Sequence, residues 1–323
     1  MVMENTFAAA VHIEVLKLCT ALWKGGPELE ASGPNLKVDG YVMLIFCLIL
    51  FLMNWGVRLL VVTPIAKIAL STPKTKTNSK AFKAKVIRFA QSTMEAIFYG
   101  GFTLLGIRIV PSQPWVWPSK HWWINFQSGE HSIMRNDLRC YYLLYCARYV
   151  QGMISVFLEP KRKDFIEMQI HHFVTIAVVL ISYLYGWNRI GAVVMLLLDP
   201  ADVPLHLAKI QKYIGEANAK ARPRLAHICE FGADRTFELF AVVFFITRVL
   251  MYPYVCWSAH IEATRYFPKG LPEWTCVALL EILYILQLYW FSLIVKVAIK
   301  LITKGHVEDV RSDDEDEEED KID

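Results

Sequence analysis

The feature that most constrains this chain is a series of seven apolar runs of near-bilayer length, beginning near Tyr41, Val86, Cys140, Ile170, Ile190, Thr236 and Trp274. At about 1.5 Å of rise per residue, each is long enough as an α-helix to cross or nearly cross a hydrocarbon core of about 30 Å. The expected fold is therefore an all-α polytopic membrane protein of about seven transmembrane helices. Composition agrees, with 55% hydrophobic and only 20% charged residues in 323. The fourth and fifth runs are separated only by "YGWNRIG", a tight hairpin, and the last is either one long tilted helix or a helix continued along the membrane surface.

Orientation follows from the basic residues, which favour the cytoplasmic side. Lys67, Lys74, Lys76, Lys80, Lys83 and Lys85 follow the first run, with no acid before Glu95. That connection is expected in the cytoplasm, and alternation places "PSQPWVWPSKHWWINF" on the far side. "EPKRKDF" and "KYIGEANAKARPRLAH" then return to the cytoplasm, so the three basic connections agree. The predicted layout is a luminal segment over 1–40, a first helix and basic loop over 41–84, a six-helix domain over 85–304, and a cytoplasmic acidic tail over 305–323. In that tail Ser312 precedes "DDEDEEED", which fits either an acceptor for an acid-directed kinase or a solvated extension. The N-terminus has no signal-peptide pattern, so the first apolar segment is expected to target the chain. Seven cysteines show neither metal spacing nor a disulfide framework, and read as buried thiols, with Cys256 and Cys276 able to bridge one connection.

The stretch "KRKDFIEMQIHHF" puts His171 and His172 inside an apolar run, where ionisable groups are functional candidates by default. Counted from Asp164 near the headgroups, they lie about 10 to 12 Å along the fourth helix. The fifth helix returns to the same surface and puts Asp202 at about 10 Å and Asp199 at about 15 Å. On a helical wheel His171, Thr175 and Ser182 share one stripe, with His172 about 100° to its side. Asp199, Asp202, His206 and Lys209 form a second stripe, and Tyr141, Tyr145 and Arg148 a third. Three helices thus point polar groups toward a shared cavity. The candidate catalytic residues are His171, His172, Asp199 and Asp202; the candidate substrate-binding residues are Arg148, Tyr141, Tyr145, Thr175, Ser182 and His206. Pro200 and Pro204 free the carbonyls of Leu196 and Pro200, which predicts a kink beside the aspartates, either a packing bend or a shaping of the site.

The other histidines are scattered, and no H-x-x-x-H or H-x-x-H-H box is present, so a di-iron hydroxylase or desaturase lacks its ligands. Zinc on one imidazole and the two aspartates matches in ligand type, but adjacent histidines point about 100° apart and rarely share an ion. The site is therefore expected to hold no metal. Carboxylate beside imidazole points instead to nucleophilic or general base catalysis.

The stretch "RKDFIEMQIHHFVTIAVVLISYLYGWNRIGAVVMLLLDPADVPLHLAK" closely resembles the longevity-assurance motif of ceramide synthases, sphingoid base N-acyltransferases with a TLC domain. "KVIRFAQSTMEAIFYG", "FELFAVVFFITRVLMYP", "LYILQLYWFSLIV" and "EDVRSDDEDEEED" are similar to other parts of that family, so the likeness runs from about Lys85 to the C-terminus. By position the family's paired histidines match His171 and His172, and its spaced aspartates match Asp199 and Asp202. Leu198 and His206 depart from the commoner family residues, and a homeobox-like insert is absent; these differences bear on lineage and substrate preference.

The resemblance implies a TLC-type bundle enclosing a central acyl tunnel in the endoplasmic reticulum membrane. It implies transfer of a fatty acyl group from acyl-CoA to the amine of a sphingoid long-chain base, with no cofactor, since acyl-CoA is a co-substrate. The partners expected are these two substrates and membrane lipid, with homo- or hetero-oligomers as a further expectation and no nucleic acid. Either His171 forms an acyl-imidazole, or a histidine acts only as general base. In the family the last luminal connection influences acyl-chain length; here it corresponds to residues 252–274, with Tyr254, Trp257 and Phe267 as candidate plugs or interface anchors. Two other classes compete: a non-catalytic TLC-domain lipid binder or transporter using the cluster as a relay, and an unrelated acyltransferase, whose H-x-x-x-x-D motif is not found near the histidine pair.

Overall fold

A short reciprocal cap and one proline explain how the helix over Leu36–Leu70 begins and widens. In the computed structural model, which describes residues 2–304 except 27, 74, 76 and 160–163 (side chains from 7 to 299), Asn35 caps this helix by accepting from the Val38 N–H at 3.3 Å. Asp39 accepts from the Asn35 N–H at 2.7 Å in return. Further along, Pro64 offers no N–H to the Leu60 carbonyl, and the helix widens into a π-turn over Arg58–Val62 before closing again. Pro253 stands in the same relation to a π-stretch over Phe245–Met251.

The described chain is almost entirely helical. The helices are α1 (Val2–Lys24), α2 (Leu36–Leu70), α3 (Lys80–Ile109), α4 (Asn136–Leu158), α5 (Phe165–Leu184), α6 (Asn188–Asn218), α7 (Pro223–Arg265) and α8 (Leu271–Lys304). One antiparallel bridge joins β1 (Ala31–Ser32) to β2 (Met134–Arg135). Lys74, Lys76, residues 161–163 and the acidic tail with Ser312 lie outside the described residues.

Among the described residues five helices are long and apolar enough to cross a membrane: α2, α5, α6, α7 and α8. Helices α3 and α4 stand where the second and third apolar runs predict spans, but they do not meet that standard. The reason is visible in α4, where Asp137, Arg139, Arg148 and Gln151 are all buried. A helix enclosed by protein can carry polar groups that a lipid-facing helix cannot.

The two ends of the bundle differ. At one end Asn218, closing α6, donates to the Ala69 carbonyl at 3.1 Å, and Lys85 pairs with Glu216 at 3.0 Å, so the connections after α2 and α6 meet there. At the other end the aromatic stretch after α3 forms a cap. The Trp123 indole donates to Ser258 Oγ at 2.9 Å, Ser119 and Tyr254 hydroxyls lie 2.7 Å apart, and Phe126 stacks on Phe267 with centroids at 4.0 Å. Beneath the cap Arg139 joins Glu14 at 2.5 Å and Ser32 at 2.9 Å and pairs with Asp39, which also accepts from Tyr183 at 2.7 Å. This buried network ties α1, α2, α4 and α5 together. The sequence expects a connection over residues 252–274; α7 in fact continues to Arg265 and α8 starts at Leu271, leaving only residues 266–270 between them. The last apolar run is one helix. All seven cysteines are free.

Candidate active site

Helix α5 packs on α4 along one flank and on α8 along the other, which gives its adjacent histidines different surroundings. His172 lies toward α4: a Cβ placed on Gly152 would come within 3.1 Å of His172 Cε1 and 2.9 Å of Arg148 Nη1. His171 lies toward α8, with its ring 5.3 Å from that of Trp290. Their centroids are 5.8 Å apart, and Tyr149 stands against both, at 5.8 Å from His171 and 5.5 Å from His172. The Nδ1 atoms of both rings are buried without a hydrogen-bond partner. Two such neighbours in an apolar bundle are unusual, because buried polar atoms are nearly always satisfied.

Pro200 lies within an interruption of α6. Helix α6 tightens into a 3-10 turn over Asp199–Ala201 and presents both aspartates from the interruption. Asp199 is buried and accepts from the Tyr145 hydroxyl at 2.9 Å, with the Tyr149 hydroxyl 3.4 Å further on. Asp202 pairs with Arg248 of α7 at 2.5 Å; Arg248 also donates to the Leu198 carbonyl, and reaches Gln287 Oε1 at 3.2 Å.

These residues line a succession of adjoining cavities. The first, about 1190 Å³ including its open mouth, is lined by the polar His171, Asp202, His206 and Arg248, by the aromatic Phe237, Phe240, Phe244 and Trp290, and by Lys209 and Lys212. The second contains His172, Arg148, His206 and several carboxylates. The third joins His172 and Arg148 to Asp199, Tyr145 and Tyr149. The fourth runs on from Tyr145 and Tyr149 to Thr175, Ser182, Leu280 and Leu283. Adjoining cavities share side chains: Tyr99, Met168 and His206 between first and second, Tyr99, Arg148 and His172 between second and third, Tyr145 and Tyr149 between third and fourth.

Nine of the ten sequence-predicted residues therefore line this succession. Tyr141 does not: it is fully buried against α3, where a Cβ on Gly106 would lie 2.9 Å from its hydroxyl. The polar stripe is also centred differently. Thr175 and Ser182 line the fourth cavity, His171 opens into the first, and the more deeply buried imidazole is His172. Arg248, Glu95, Tyr99 and Tyr149 were not singled out by sequence reasoning. Arg248 carried a usable signal, an isolated charge inside "AVVFFITRVLMYP". Glu95, which pairs with Arg148 at 2.5 Å, carried the same signal more weakly.

Residues 88–296 match the TLC domain family. Ceramide synthase LOH2 of Arabidopsis thaliana is 30% identical over 252 residues, 75% of this chain and 80% of the relative. ASC1-like protein 3 of rice (Oryza sativa subsp. japonica) is 30% identical over 304 residues, 91% of this chain and 99% of the relative. Ceramide synthase 4 of Mus musculus is 32% identical over 228 residues, 70% of this chain and 54% of the relative. With the family matched over most of its length and these relatives aligned across its helices, the chain belongs to the TLC-domain family of ceramide synthases.

Proposed function

We propose that this protein transfers a fatty acyl group from acyl-CoA to the amine of a sphingoid long-chain base, using His171 and His172. The observation that carries this reading is the pair of buried, unpartnered Nδ1 atoms on adjoining rings at the junction of the cavities. Imidazoles left unsatisfied by protein suit groups that act on a bound substrate. The reading also takes α3 and α4 as spans, giving seven transmembrane helices around an acyl tunnel in the endoplasmic reticulum membrane, with a luminal N-terminus and a cytoplasmic C-terminus. Burial of the polar side chains of α4 within the bundle and the meeting of the two basic connections after α2 and α6 at one end support it.

In this account Lys209 and Lys212 attract the anionic CoA at the mouth, and the acyl chain lies along apolar walls. A His171 nitrogen attacks the thioester carbonyl; the C–S bond breaks and CoA leaves as the thiolate. The sphingoid amine then attacks the acyl-imidazole, the C–N bond to the ring breaks as the amide forms, and His172 takes the amine's proton. Asp199 with Tyr145, and Asp202 with Arg248, hold the surrounding charges in place. The test is direct: purified protein in detergent, isotopically labelled palmitoyl-CoA and sphinganine, with N-acyl product read by mass spectrometry. Labelled ceramide supports the account; lipid binding without product favours a non-catalytic role.

A further inference from the structure

Buried polar groups in folded proteins are nearly always satisfied, so a buried donor left without an acceptor calls for a reason. Helix α8 holds two such donors on the side of His171. The Trp290 indole is only 9% exposed, and its Nε1–H is buried with no acceptor. Its ring stands edge to face with that of His171, centroids 5.3 Å apart, and both side chains line the first cavity. One turn earlier Gln287 is buried; its Oε1 accepts from Arg248 at 3.2 Å, and its Nε2 has no acceptor. Because a guanidinium only donates, the amide oxygen faces Arg248 and the amide N–H groups are turned elsewhere. Gln287 stands outside the lining of the cavity, so Trp290 is the donor of the two that borders the space a substrate would fill.

We propose that the Trp290 indole N–H is the oxyanion donor of the acyl transfer. The inference rests on the N-acyl transfer reading and adds to it the group that stabilises the carbonyl oxygen. When a His171 nitrogen bonds to the thioester carbon, the carbonyl π pair moves onto oxygen and a negative charge develops there. As the intermediate collapses that pair returns, the C–S bond breaks and CoA leaves as the thiolate. The sphingoid amine then adds to the acyl-imidazole and generates the same oxyanion a second time, so one donor serves both halves. The indole donates its hydrogen bond in each and keeps its proton throughout. Neighbouring groups are less suited: Asp202 is a carboxylate, and Arg248 is turned to Asp202, the Leu198 carbonyl and Gln287. A neutral N–H fixed in a buried wall has no competing acceptor and needs no reorganisation at the moment of reaction. Away from water its hydrogen bond to a developing charge is at its strongest.

The experiment compares the full-length wild-type protein in lipid nanodiscs with two variants. Trp290→Phe keeps an aromatic ring and loses the N–H; benzothienylalanine at the same position keeps the indole shape with sulfur in place of the N–H. In both, kcat for ceramide formation from palmitoyl-CoA and sphinganine is expected to fall by about 10² to 10³. Binding of the unreactive thioether hexadecyl-CoA should stay within twofold, which also reports that the variant is folded. A second readout separates a donor from a support for the imidazole. Alkylation of His171 by α-bromopalmitoyl-CoA displaces bromide and forms no oxyanion, so its rate should also stay within twofold. Should Trp290→Phe fail to bind the thioether, the isosteric variant decides alone. Wild-type kcat in that variant overturns the proposal, and so does alkylation slowed as much as turnover, which makes Trp290 a packing support for His171. A wild type that forms no ceramide refutes the transfer reading and the donor with it, whereas an active wild type with unaffected variants refutes the donor alone.

Discussion

The Tyr145 hydroxyl reaches across from α4 to donate to Asp199 Oδ1 at 2.9 Å, at the 3-10 turn where α6 is interrupted. A hydrogen bond to a charged group is worth about 1.5–3 kcal/mol, which corresponds to roughly tenfold to a hundredfold in rate where it is made in the transition state. Tyr145→Phe is therefore expected to lower kcat by about that factor with the KM for acyl-CoA little changed. Asp199→Asn should cost more, about 10² to 10⁴ in turnover, as for loss of a group supporting acid or base chemistry. Steady-state kinetics beside a thermal unfolding curve check this; unfolding in place of slow turnover would mark both residues as structural.

Arg248, buried in α7, pairs at 2.5 Å with the partly buried Asp202, just past the 3-10 turn of α6. Removing one partner leaves an uncompensated buried charge, at a cost of about 3–5 kcal/mol. Arg248→Met should therefore lower the denaturation midpoint in detergent substantially. Adding Asp202→Asn should recover part of that loss. Simple additivity in the double-mutant cycle would mean that the two are not energetically coupled.

His131 sits in the aromatic cap with its ring Nε2 2.7 Å from the Ile124 carbonyl, and burial pushes its pKa down to about 4, with Arg189 adding to the same direction. The folded value lies below the unfolded one, so the unfolded chain takes up the extra proton first as pH falls. The stabilisation is fully present above about pH 6.5 and is lost progressively toward pH 4. Hydrogen exchange over residues 110–135 should accelerate on going from pH 7 to 5, after correction for the intrinsic rate, and His131→Gln should flatten that change. An identical pH dependence in the variant would contradict the assignment.

Acyl-chain length should respond to the inner end of the cavities. Tyr254 and Trp257 are partly exposed and stack on each other, while Phe267 is buried against Phe126 and Leu283 lines the fourth cavity. Leu283→Ala is expected to shift products toward longer acyl chains, whereas Trp257→Ala should leave them unchanged. Competition with mixed acyl-CoA species, read by mass spectrometry, measures both.

The elements that lipid dictates were the most legible in the sequence. Long apolar runs announced α2 and α5 to α8, and the proline pair announced the turn at Asp199. The short connection after α7 was missed because π-stretches let the helix absorb Pro253 and continue. The N-terminal helix was missed because its buried contacts, Leu18 among them, are made with other helices. The histidine and aspartate set was legible because ionisable residues stand out in apolar runs. Their partners were less so: a wheel reports which face a side chain occupies, and only packing reveals that α4 and α8 divide His171 from His172, or that Arg248 from a distant run meets Asp202.

The central claim is that both imidazoles act in acyl transfer. The measurement that tests it most directly is N-acyl product formation from labelled palmitoyl-CoA and sphinganine by the purified wild-type protein, His171→Ala and His172→Ala, each matched for membrane insertion and unfolding midpoint. The account predicts labelled ceramide from the wild type and none above background from either variant. Near wild-type turnover in a folded variant would remove that histidine from the chemistry.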